Sequence, residues 1–170
     1  MISCEGYATK HVAVVGLGKS GLAAARALCR SGARVLAWDD GEAARTAAEA
    51  EGIPVREPSR INWAAQDALV LSPGIPHTYP QPHAAARMAK DAGVPIIGDV
   101  ELLITSGAQA PRIAITGTNG KSTTTALVGH ILESAERDVE VGGNLGPAIA
   151  NMAMFNNTAT LKRAEGQSSN

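Results

Sequence analysis

Short aliphatic runs alternate along this chain with longer alanine-rich stretches of helical period. His11–Val15, Arg34–Asp39, Ala68–Leu71 and Pro95–Ile97 read as strands. Ser20–Ser31, Glu42–Glu51, Pro82–Ala92 and Asp99–Thr105 read as helices, with Pro82 in the first turn of the third and Asp99 capping the fourth. Strand and helix in strict alternation predict an α/β fold: a mostly parallel, Rossmann-like sheet with right-handed crossovers.

The rhythm breaks at Ser106-Gly107-Ala108-Gln109-Ala110-Pro111, a small, polar, proline-ended stretch that reads as a linker. A second unit follows: a strand over 112–116, a glycine-rich loop, a helix over 121–135 and a short strand Val139–Val141. The expected domains are 1–108 and 109–170. The second is an incomplete P-loop domain, because one helix and two strands cannot close a nucleotide-binding sheet. Residues 151–170 are expected to be disordered, since the stretch from Asn156 on has little apolar content and no clean period.

Composition narrows the picture. Aromatics are only 3% of the 170 residues, so the core must come from Ala, Val, Leu and Ile, which suit a parallel sheet flanked by alanine-rich helices. A net charge of −1 gives no basic excess and points away from nucleic acid. Cys4 and Cys29 are too few for a disulfide framework or a zinc site, and Cys29 reads as a packed thiol. Met1 to Lys10 lacks the apolar core of a signal peptide, and no stretch reaches transmembrane length. The expectation is a soluble cytoplasmic monomer with no membrane partner.

Two glycine loops carry the candidate chemistry. Gly117-Thr118-Asn119-Gly120-Lys121-Ser122-Thr123 lies between a β-branched run and a helical stretch, the arrangement that wraps phosphates in backbone N–H groups. Lys121 can reach terminal phosphates and the Ser122 hydroxyl can bind Mg²⁺, which points to ATP. The usual pattern would place glycine where Ile115 stands; here it is Gly117. The other loop, Gly16-Leu17-Gly18-Lys19-Ser20-Gly21, is a G-x-G-x-x-G between strand and helix, with Asp39 at the end of the next strand to meet a ribose or base. A dinucleotide and a uridine diphosphate sugar both fit it, and a purely structural turn stands beside them. Ser72 and the N–H of Gly74, after the third strand, offer donors to a phosphate or sugar, although Pro73-Gly74 is also an ordinary turn. Gly142-Gly143-Asn144 reads as a turn or as a loop whose Asn144 bonds a substrate group. His11, His77, His83 and His130 lack metal-ligand spacing and read as surface or packing residues.

Together, Gly-Leu-Gly-Lys-Ser-Gly at 16–21, Leu-Ser-Pro-Gly-Ile-Pro at 71–76, Gly-Asp-Val-Glu-Leu at 98–102, Ile-Thr-Gly-Thr-Asn-Gly-Lys-Ser-Thr at 115–123 and Gly-Gly-Asn-Leu-Gly at 142–146 resemble the Mur ligases of peptidoglycan synthesis. The Ser-Pro-Gly and Gly-Asp-Val-Glu-Leu stretches favour the branch that adds D-glutamate. The resemblance implies that the first domain holds the uridine diphosphate of UDP-N-acetylmuramoyl-L-alanine. Gly18, Lys19 and Ser20 would lie near the uridine, Asp39 at the uracil, and Ser72, Pro73 and Gly74 around the diphosphate and sugar. It places ATP on Gly117 and on Thr118 to Thr124, with Lys121 as the catalytic cation and Ser122 on Mg²⁺, and it puts Asn144 on the muramoyl part. The implied reaction forms an acyl phosphate and ADP, then an amide with D-glutamate. Two departures are visible: Gly41 stands where the family often has a basic residue, and the family's later metal and amino-acid ligands have no counterpart. The chain alone is therefore expected to lack ligase activity. An NAD(P)-binding oxidoreductase and a non-catalytic nucleotide-binding module are the alternatives.

Overall fold

The computed structural model describes residues 2–105, 111–143 and 148–152. Four parallel strands, β1 (His11–Val15), β2 (Arg34–Trp38), β3 (Ala68–Leu71) and β4 (Ile96–Ile97), form one sheet in the order β2-β1-β3-β4. Five α-helices accompany it among the described residues: α1 (Lys19–Arg30), α2 (Glu42–Ala50), α3 (Ala84–Asp91), α4 (Asp99–Ile104) and α5 (Lys121–Ser134).

Side chains of a strand point alternately to the two faces, and here both faces are covered. Val12, Val14 and Val70 pack with Ala23, Ala24, Ala27 and Leu28 of α1 and with Leu102 of α4. Ala13, Val15, Leu69 and Leu71 pack with Ala85, Ala86 and Ala89 of α3 and with Trp63. The alanine stripes let both helices lie close to the strands, which is how a chain poor in aromatics fills its core.

The chain passes from β1 to β2 on one side and returns to β3 on the other. Strand order therefore reverses between β1 and β3, the place where an open α/β sheet leaves a crevice outside its carboxyl edge. The register is flush there: Val15 pairs with Trp38 and with Leu71. Gly16, Asp39 and Ser72, the next residues of the three strands, thus emerge side by side.

Several elements differ from the sequence expectation. Pro82 lies outside α3, because His83 caps the helix by accepting the Ala85 N–H on Nδ1 at 3.2 Å. Asp99 is the first residue of α4, not its cap; Gly98 is the cap, and its N–H donates to Glu101 Oε2 at 3.0 Å. Residues 112–116 and 139–141 form no strand. A strand is held by its neighbours, and among the described residues these segments have no ladder partner; Ile113 is exposed. Residues 148–152 return to the first unit: Ala148 and Ala150 are buried in the α1 core, and the Ile2 N–H donates to the Ala150 carbonyl at 3.1 Å. Residues 106–110 of the 106–111 linker, Asn144 and the tail from 153 on lie outside the described residues.

Candidate functional site: two glycine loops at helix starts

The first loop is braced from both sides. Gly16 has φ +87°, a left-handed value that only glycine adopts cheaply. Its N–H donates to the Trp38 carbonyl at 2.8 Å, and the Ser72 N–H donates to the Val15 carbonyl at 3.0 Å, so the sheet ladder runs one step past the strands. Ser72 Oγ then donates to the Gly16 carbonyl at 2.7 Å. From the β2 side, Asp39 Oδ2 accepts the Leu17 N–H at 2.6 Å and Oδ1 accepts the Gly41 N–H at 2.8 Å.

Space is as tight as the bonding. A Cβ on Gly21 would lie 1.6 Å from the Gly16 carbonyl oxygen and 2.5 Å from Ser72 Oγ. Gly16 and Gly21 are thus fixed by contact between loop, helix and strand end. Gly18 is the residue before α1, extended at φ −66° and ψ −166°, and no side chain caps the helix. The first amides of a helix, at Lys19 and Ser20 here, have no carbonyl within the helix to bond and favour an anion. The structure therefore brings Gly18, Lys19, Ser20, Asp39 and Ser72 to one edge of the sheet. Pro73 and Gly74 follow, exposed, at its rim. Asp39 and Ser72 shape the loop through its backbone.

Sequence reasoning missed a second set of residues beside Asp39. Arg45 of α2 donates from Nη1 to the carbonyls of Asp39 and Asp40, each at 2.8 Å, and its guanidinium lies 4.7 Å from the Trp38 ring centre. Trp38 Nε1 donates to Asp40 Oδ1 at 3.1 Å, and His83 Nε2 lies 3.4 Å from Asp40 Oδ2. These residues come from three elements with no shared spacing, so no motif announces them. The one local cue is the position of His83 directly before an alanine-rich helix.

The second loop holds itself. Gly117 and Gly120 have φ +144° and +75°, and Gly120 precedes α5 without a side-chain cap. Lys121 Nζ turns back into the loop and donates to the carbonyl of Gly117 and, at 3.1 Å, to that of Thr118. Asn119, Ser122, Thr123 and Thr124 are exposed around this turn. A glycine turn at a helix start with an ammonium group folded onto it suits a phosphate chain. For a metal ion the protein offers less. Among the described residues no group of three or more His, Cys, Asp or Glu side chains could hold one, and the Ser122 hydroxyl is the side chain at this loop that would meet Mg²⁺.

Burial pushes the Cys4 thiol up to about 11 and raises Cys29, so neither is a reactive thiolate. Among the described residues, no helix is long and apolar enough to cross a membrane.

Residues 10–98 match the family model of the Mur ligase MurD-like N-terminal domain. The chain is 53% identical over 152 residues to a UDP-N-acetylmuramoylalanine–D-glutamate ligase of Paramagnetospirillum magneticum, covering 89% of this chain and 33% of that protein. It is 52% identical over 153 residues to the ligase of the same name from Mesorhizobium japonicum, covering 88% and 33%. The chain thus spans about a third of the length of the curated relatives it matches. A solved shikimate dehydrogenase from Aquifex aeolicus aligns with 61% of this chain and 47% of its own at 18% identity and a TM-score of 0.45, too weak a likeness to bear on function. More than half of the sequence falls within the matched domain, and the chain belongs to the Mur ligase family, in its MurD-like group.

Proposed function

We propose that this chain forms the substrate-binding front of an ATP-dependent ligase that joins D-glutamate to UDP-N-acetylmuramoyl-L-alanine in peptidoglycan synthesis. The observation that carries the proposal is the braced first loop. The start of α1, which no side chain caps, lies where strand order reverses, with Ser72 on one side and Asp39 on the other. A diphosphate suits the amides, and a uridine extends toward Asp39 at the end of β2.

The second loop is the proposed ATP site. The alignment with the Paramagnetospirillum magneticum ligase covers 89% of this chain, a span long enough to run through residues 117–124, which supports this reading. Gly117 to Thr124 would hold the triphosphate, Lys121 would exchange its two loop carbonyls for phosphate oxygens, and Ser122 would stand next to Mg²⁺. When bound, Mg²⁺ supplies charge neutralisation between an anionic nucleotide and an anionic carboxylate substrate. Lys121 adds a fixed positive charge at the same place. Asn144, Gly74 and Pro73 are proposed contacts of the muramoyl and diphosphate groups.

Calorimetric titration of the 170-residue chain with UDP, with ATP and Mg²⁺, and with NADH tests this reading. Saturable binding of UDP and of ATP, and none of NADH, is expected. Binding of NADH with no response to UDP would replace the ligase reading by the oxidoreductase one. Phosphate release from ATP in the presence of D-glutamate and UDP-N-acetylmuramoyl-L-alanine then asks whether these residues alone turn over.

A further inference from the structure

The segment after β3 begins at Ser72, bonded to the first loop, and ends at His83, the cap of α3. It is folded onto itself: the Ile75 N–H donates to the Ser72 carbonyl at 2.9 Å, and the His83 N–H donates to the Pro76 carbonyl at 2.8 Å. Its far end does not stay near β3. The His83 ring reaches Asp40, which follows β2, and β1 lies between those two strands. The segment therefore passes the carboxyl end of β1, with Ile75 beside Gly16 at the root of the first loop, and is tied on both sides.

The chemistry of the far tie is well defined. Nδ1 of His83 accepts the Ala85 N–H, so the neutral ring carries its proton on Nε2, the atom that faces Asp40 Oδ2 at 3.4 Å. The imidazole is 16% exposed and its position is held by α3; the carboxylate is 74% exposed. Asp40 is in turn fixed by the Trp38 Nε1 bond to Oδ1 and by Arg45, which binds the Asp39 and Asp40 carbonyls. One side of the contact is anchored by the helix, the other by the strand end that also braces the glycine loop through Asp39.

The geometry points to His83 as a positioning residue for the nucleoside diphosphate: through Asp40 it sets where the 72–83 segment crosses the crevice, and so the gap in which the diphosphate lies. This rests on the proposed binding of uridine diphosphate at the first loop. His83 itself need not touch the ligand. Because the carboxylate is wet, the contact is modest, and its loss is expected to loosen the segment rather than unfold the domain.

The test uses UDP as the probe and the 170-residue chain. His83→Asn keeps a good helix cap but is too short to reach Asp40. Asp40→Ala removes the same contact from the other side and leaves the α3 cap intact, so it serves should the first variant lose stability. Each is expected to weaken UDP binding about three- to tenfold. The double variant should bind no more weakly than the weaker single one, because one contact is lost in all three. The affinity for ATP with Mg²⁺ and the melting midpoint of His83→Asn should stay at the unsubstituted values, which a merely structural role would not allow. Unchanged UDP affinity in His83→Asn, or losses that multiply in the double variant, would overturn the inference while leaving the diphosphate site standing. Failure of the unsubstituted chain to bind UDP would instead remove the site reading and this inference with it.

Discussion

The two glycine loops use the same backbone device and are held in opposite ways. The first sits at the edge of a sheet buried on both faces, with Ser72 and Asp39 bonding its backbone from the neighbouring strand ends. The second precedes a helix whose Leu127 and Ile131 are exposed, and its brace is its own Lys121. A cradle built by neighbours is preorganised and fails when a neighbour is altered. A cradle built around its own cation leaves that cation free to change partners when phosphate arrives.

The sharpest way to break the contrast is one substitution made twice. Gly21→Ala drives a methyl into the Gly16 carbonyl, a backbone atom that cannot move aside, and is expected to cost several kcal/mol, about 3 or more, and to abolish UDP binding. Gly120→Ala meets nothing within 4 Å and costs only the left-handed backbone, about 1 kcal/mol, confined to the start of α5. Urea unfolding followed by circular dichroism separates the two.

Asp39→Ala comes next. It leaves the Leu17 and Gly41 amides without their acceptor, and the Leu17 site is partly buried, so a loss of about 1–3 kcal/mol is expected in the same urea experiment. Among the described residues the second loop is bonded by Lys121, whose loop carbonyls are exposed to water: Lys121→Met should leave the melting midpoint nearly in place and weaken ATP binding at least about tenfold, seen by calorimetry.

The smallest effect lies far from either loop. Arg26 of α1 bonds Glu51, at the end of α2, through both carboxylate oxygens and holds that carboxyl below its ordinary value of 4.5. A carboxyl depressed in the folded state adds stability above its unfolded value, and that stability fades as the pH falls from 4.5 through the folded value. Both groups are exposed at the surface, so Glu51→Gln should flatten the acid limb of the stability curve slightly and leave stability near neutrality almost unchanged.

How much of this was legible in the sequence follows from the same contrast. β1 and β3 appear with the bounds read from the aliphatic runs, because His11–Val15 and Ala68–Leu71 are buried along nearly their whole length and pattern decides their fate. The first loop was visible as Gly16, Gly18 and Gly21 with Asp39; backbone angle and space fix Gly16 and Gly21, whereas an added Cβ at Gly18 would meet nothing within 4 Å. The strand read over 112–116 was not found, because the same β-branched pattern forms a strand only when a neighbour supplies hydrogen bonds. The caps of α3 and α4 were misread by one or two residues, as His83 and Gly98 compete with more familiar capping residues beside them. Trp38, Asp40, Arg45 and His83 were invisible for a different reason: their association depends on the flush ends of β1, β2 and β3, which no linear spacing records.

Amide chemical shifts in a nitrogen-15 labelled chain titrated with UDP test the central claim most directly. Movement of the Gly18 to Gly21 amides and of the Ser72 and Gly74 amides, with those of Gly117 to Thr124 still until ATP and Mg²⁺ are added, is the predicted result. UDP that leaves the first set unmoved, or that shifts only the second, would contradict the account.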